Sequence, residues 1–145
     1  MSNFDTIQAI TKNLEKVLKG LGLNFSPKIF DDAKNIPASL IPLGEIFYNR
    51  ETFEYTHGQK PEYAEAEYTL RVTLSYRNPA DMMREQQRWV HLIRDGLTVN
   101  ALNIGDLVTS KLVSRVTTEE AAVENDSSNG IASITYRVLI RYREL

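Results

Sequence analysis

A chain of 145 residues, 42% hydrophobic and 25% charged, is long enough to bury one core without covalent staples. It has no cysteine, which excludes disulfides, thiolate catalysis and cysteine-ligated zinc. A formal charge of −2 and a pI near 5.7 leave no basic footprint for general nucleic-acid binding, no apolar run approaches the roughly 20 residues of a membrane span, and the first residues lack a secretory signal pattern.

Residues 5–19 predict an amphipathic helix. Ile7, Ile10, Leu14, Val17, Leu18 and Leu21 fall within about a third of the circumference, leaving Lys12, Glu15, Lys16 and Lys19 outside it. Asp5 is the expected N-cap, and Gly20 or Gly22 the stop. Pro27, Pro37 and Pro42 break up residues 24–42, where 28–30 are read as a short edge strand and 33–41 as loop. Residues 44–55 read as a strand with Ile46 and Tyr48 on one side and Phe47, Asn49, Glu51, Phe53 and Tyr55 on the other. A half-buried strand needs one apolar face. Aromatics on both sides therefore require a cover, from the same chain or from another subunit, and Phe47, Phe53 and Tyr55 are the candidate subunit interface.

His57, Gly58, Gln59, Lys60 and Pro61 form the expected turn into residues 67–77, which alternate without a miss. Tyr68, Leu70, Val72, Leu74 and Tyr76 share one face; Glu67, Thr69, Arg71, Thr73, Ser75 and Arg77 share the other. Asn78 then caps a helix opened by Pro79, with Asp81 at its positive end. Met82, Trp89, Ile93 and Leu97 form its apolar stripe. Residues 107–118 return to strand composition, and 119–130 are read as a long acidic hairpin tip. The last hairpin strand, residues 132–142, sets Ala132, Ile134, Tyr136, Val138, Ile140 and Tyr142 against Ser133, Thr135, Arg137, Leu139 and Arg141. The expectation is one α+β domain over residues 1–145: an antiparallel sheet of two long hairpins, with an N-terminal and a central helix packed on one face.

Catalytic chemistry finds little footing in these residues. His57 sits in a turn and His91 on the polar face of a helix, with no second histidine at metal-pair spacing. Glu62, Glu65 and Glu67 lead into a strand, and Glu119, Glu120, Glu124 and Asp126 belong to the acidic segment; none forms a convergent pair. Gly20 and Gly22 follow a helix instead of opening one, so they do not make a phosphate loop. The reading names no catalytic residue, no cofactor and no metal. Arg71, Arg77, Arg137 and Arg141 would form a basic stripe if their strands are neighbours, either as part of a mixed polar sheet face or as a contact for an acidic partner.

The order of elements resembles the tail terminator and minor tail proteins of tailed bacteriophages. The similarity rests on the opening amphipathic helix, the proline-broken segment, the strand ending YTLRVTLSYRNP, the helix DMMREQQRWVHLIRDGL and the final strand GIASITYRVLIRYREL. That family has no diagnostic motif, so no functional residue carries over by position. The resemblance implies a structural virion protein at the head-proximal end of the tail, assembled in the host cytoplasm. It would form a homomeric ring, usually a hexamer, that caps the tail tube, stops its polymerisation and joins the head connector or neck protein. The tube protein and a sheath protein are the implied partners, with DNA passing through the lumen without specific binding and no membrane involved. Within that frame His57 and Lys60 belong to a docking loop, and Glu119, Glu120, Glu124 and Asp126 to a docking loop or lumen lining that repels phosphate. Another neck, head-completion or tail tube subunit shares the size and texture. A small ligand-binding domain or enzyme is the competing class.

Overall fold

The computed structural model describes residues 1–30, 35–55, 58, 62–126 and 129–145. In chain order, these comprise helix α1 (Asn3–Gly20), a 3-10 turn (Ala38–Leu40), strands β1 (Leu43–Glu54) and β2 (Tyr63–Ser75), helices α2 (Pro79–Gly96) and α3 (Val99–Leu102), a second 3-10 turn (Gly105–Leu107), and strands β3 (Val113–Asp126) and β4 (Ile131–Arg143). The strands form one antiparallel sheet in the order β1-β2-β4-β3, two hairpins joined through β2 and β4. The fold is α+β.

The two alternating strands are direct neighbours, with Leu70 opposite Tyr136 and Tyr68 opposite Val138. Their matched apolar faces merge into one core, where Leu70, Ile134, Tyr136, Val138 and Ile140 are all buried. Leu14 and Leu18 from α1, and Trp89 and Ile93 from α2, cover that face. The fit follows from period: a strand offers every second residue, and a helix every third or fourth, to the same apolar layer.

Local signals set the helix ends. Asn78 Oδ1 accepts the Asp81 backbone N–H at 2.9 Å and Pro79 occupies the first turn, as expected. The cap of α1 lies earlier than the sequence reading. Ser2, not Asp5, is the N-cap, and Asp5 is the reciprocal partner of a capping box: Ser2 Oγ accepts the Asp5 N–H at 3.1 Å while the Asp5 carboxylate accepts the Ser2 N–H at 2.9 Å. A serine three positions ahead of an acid satisfies two orphan donors, whereas Asp5 alone would satisfy one.

Three further expectations are corrected. Residues 28–30 are not a strand; instead Asn24 makes a lone parallel bridge to Leu43. The segment before β3 is a 3-10 turn and not a strand start. The supposed hairpin tip is strand as far as Asp126, because Ala121 and Val123 alternate with Glu120, Ala122 and Glu124 across the pleat. Asn13 ties α1 to the α3 region: its amide donates to the Leu102 and Ile104 carbonyls, each at 2.9 Å.

Candidate functional site at the aromatic edge

β1 begins in register with β2, pairing Phe47 with Thr69 and Tyr48 with Tyr68, but the next aligned pair is Arg50 with Glu67. Asn49 is the extra residue of a β-bulge, and a bulge reverses which face each later side chain takes. Phe47 therefore lies on the open face with Thr69, while Phe53, opposite Ala64, lies on the helix-covered face with Ile46 and Tyr48. The expectation that Phe47 and Phe53 share a face fails for this reason. Tyr55 follows the strand and is exposed. His57 and Lys60 lie outside the described residues; His91 is exposed, as expected.

The bulge produces an aromatic rim. Tyr48 is 57% and Phe53 49% exposed, although their face is the one the helices cover. Phe4 on α1 adds a side chain that is 66% exposed. Tyr48 meets Tyr68 edge to face, with ring centroids 5.7 Å apart. Beneath them, the Tyr142 hydroxyl donates to Glu51 Oε2 at 3.0 Å, and the Tyr68 hydroxyl shares a 2.7 Å hydrogen bond with Thr11 Oγ1. Burial pushes the Tyr48 and Tyr68 phenols up to about 12; for Tyr48 the neighbouring Glu51 carboxylate adds to the effect. These hydroxyls keep their protons throughout the neutral range.

The open face is a lattice of ion pairs. Glu67 Oε1 accepts from Arg137 Nε at 2.7 Å and from Arg50 at 3.1 Å, and Arg137 also reaches Glu119 at 2.6 Å. Arg71 pairs with Glu45, Arg115 with Glu65, and Arg141 with Glu54 while lying 3.7 Å over the Tyr63 ring. The hydrogen bond from Arg137 holds the Glu67 carboxyl below the usual carboxylate range, and that from Arg141 does the same for Glu54. The arginines thus belong to a mixed polar sheet face, because β1 and β3 bring carboxylates to both sides of them. Arg50, Arg115 and Arg137 are exposed at their ends of these pairs, and such pairs add little stability individually.

The acidic segment is ordered differently from a docking loop. Glu119 is the extra residue of a bulge between Thr118 and Glu120 and turns toward Arg137; Glu120, Glu124 and Asp126 lie on the open face along the β3 edge. Among the described residues, no group of three or more His, Asp or Glu side chains is placed to hold a metal ion. Sequence reasoning missed the Tyr48, Glu51, Tyr142 cluster because only the sheet order brings β1 and β4 within reach across β2. The polar run Asn49-Arg50-Glu51 amid aromatics was the one local sign of the bulge. Against known proteins, the chain matches no protein-family model and has no significant match among curated proteins.

Proposed function

We propose that the protein is a structural subunit closing head to tail into a ring, hexameric by resemblance, that caps a bacteriophage tail tube, halts its growth and joins it to the head connector. The observation that carries this reading is the unlike character of the two sheet edges. The β1 side exposes Tyr48, Phe53 and Tyr55 beside Phe4; the β3 side is acidic and doubly bulged. A head-to-tail contact uses two different patches per subunit, and a molecule with one aromatic edge and one charged edge has them. Bulges and charge keep β3 from indiscriminate strand pairing, so assembly would wait for the correct neighbour. In the ring, Glu120, Glu124 and Asp126 would turn a repulsive surface toward passing DNA.

The lattice of ion pairs on the open face supports the same reading, since it ties all four strands of a scaffold together. Electron microscopy of particles made without the protein tests the proposal. Tails of uncontrolled length, or tails that fail to join filled heads, are the expected outcome. Normal tails joined to heads would end this reading and leave a ligand-binding domain in its place.

A further inference from the structure

Among the described residues, β1 has a neighbour on its outer side only at its beginning. The Asn24 N–H donates to the Pro42 carbonyl at 2.9 Å and the Gly44 N–H to the Asn24 carbonyl at 2.8 Å. Phe25 closes over Gly44 so tightly that an added Cβ would lie 2.8 Å from its ring. Beyond that point the chain leaves the strand and crosses toward the open face, where the Phe30 carbonyl accepts from Arg71 at 3.2 Å. Backbone groups alternate sides along a strand, so the outward direction at Gly44 recurs at Ile46 and Tyr48. Their N–H and C=O groups point away from β2, as on any unpaired edge.

Beside this edge opens a cleft of about 280 Å³, with Phe25, Lys28 and Ile29 on one side and Ile46, Phe47 and Tyr48 on the other. Glu45 also lines it. The Glu45 side chain is only 9% exposed, and its Oε1 accepts from Arg71 Nε at 2.8 Å. Its Oε2 is buried without a partner. A carboxylate can accept several hydrogen bonds, and a buried oxygen left without one is costly. The edge therefore combines unpaired backbone groups, apolar flanks and an acceptor waiting for a donor.

We propose that this cleft docks an extended segment of a partner protein, which pairs with residues 46–48 of β1 and presents a lysine or arginine to Glu45. The outward backbone groups call for a strand, the flanking rings suit its alternate side chains, and the orphaned oxygen selects a charged donor. The inference does not rest on the ring reading.

Nuclear magnetic resonance on the full chain tests it, with the capped hexapeptide Thr-Val-Lys-Val-Thr-Val as probe. Addition should shift the amides of Gly44, Ile46, Phe47 and Tyr48. A peptide with norleucine in place of lysine should bind about tenfold more weakly, as expected for loss of a hydrogen bond between charged groups. Glu45→Gln should erase the preference for lysine; because that change also disturbs Arg71, the peptide pair on the unaltered chain is the deciding comparison. Equal binding of the two peptides, shifts centred elsewhere, or no shifts at millimolar peptide would overturn the proposal. So would shifts of the same amides with protein concentration alone, which would give the edge to a second copy.

Discussion

Phe53→Glu separates a surface that awaits a partner from one the chain covers itself. Phe53 is 49% exposed, so the folded monomer realises only about half of the roughly 1.5–3 kcal/mol that full burial of a phenylalanine gives. Its replacement should remove about 1 kcal/mol, because the new carboxylate can stay in water. For a chain of this size that lowers the melting temperature by about 2–4 °C. Leu70→Glu is the control: Leu70 is 1% exposed in the centre of the sheet, a carboxylate there is buried without a partner at a cost of several kcal/mol, and loss of cooperative melting is the expected result. Thermal unfolding by circular dichroism reads both variants, and complementation of particles lacking the protein reads assembly. The folded Phe53→Glu protein should fail to restore joined tails. If it melts as Leu70→Glu does, the rim is an internal face. If it folds and complements fully, the rim is not an interface.

Asn13→Ala should cost about 2–4 kcal/mol in urea unfolding, since it strands the Leu102 and Ile104 carbonyls that its amide satisfies; a loss below about 0.5 kcal/mol would contradict the link between α1 and α3. Acid should destabilise the sheet in a defined direction. Glu67 and Glu54 have folded pKa values below the ordinary 4.5, so the stability their arginine pairs supply is complete above that value and drains as pH falls through the folded ones. Glu67→Gln should flatten this dependence in denaturant titrations from about pH 6 downward; an unchanged slope would contradict the role of the pair. At the alkaline end, burial raises the Tyr68, Tyr136 and Tyr142 phenols above the ordinary 10, so stability is full below that value and lost above it. Phenolate absorbance should accordingly stay short of the full amplitude of the seven tyrosines near pH 10 and reach it only with unfolding; full amplitude with the fold intact would refute their burial.

The sequence by itself determined the elements whose signals are local. Strict alternation over β2 and β4 set both their strand state and the faces they bury, since the side-chain period of a strand is fixed by the backbone. Asn78 and Pro79 set the start of α2 because capping involves only residues within one turn. Tertiary structure decided whatever depends on partners far along the chain. The bulge at Asn49 shifts the register of β1 on β2 after Tyr48, and it sends Phe47 and Phe53 to opposite faces that a period of two would have made one. The bulge at Glu119 likewise hid a strand inside an acidic run and turned that residue toward Arg137. Charge pairing followed the sheet order: Glu45 and Glu54 of β1 and Glu119 of β3 reach Arg71, Arg141 and Arg137 of the inner strands, Glu67 of β2 joins Arg137 across to β4, and the basic stripe became a mixed face. Local periodicity says which way a side chain points, but its neighbour is chosen by the register of strands far apart in sequence.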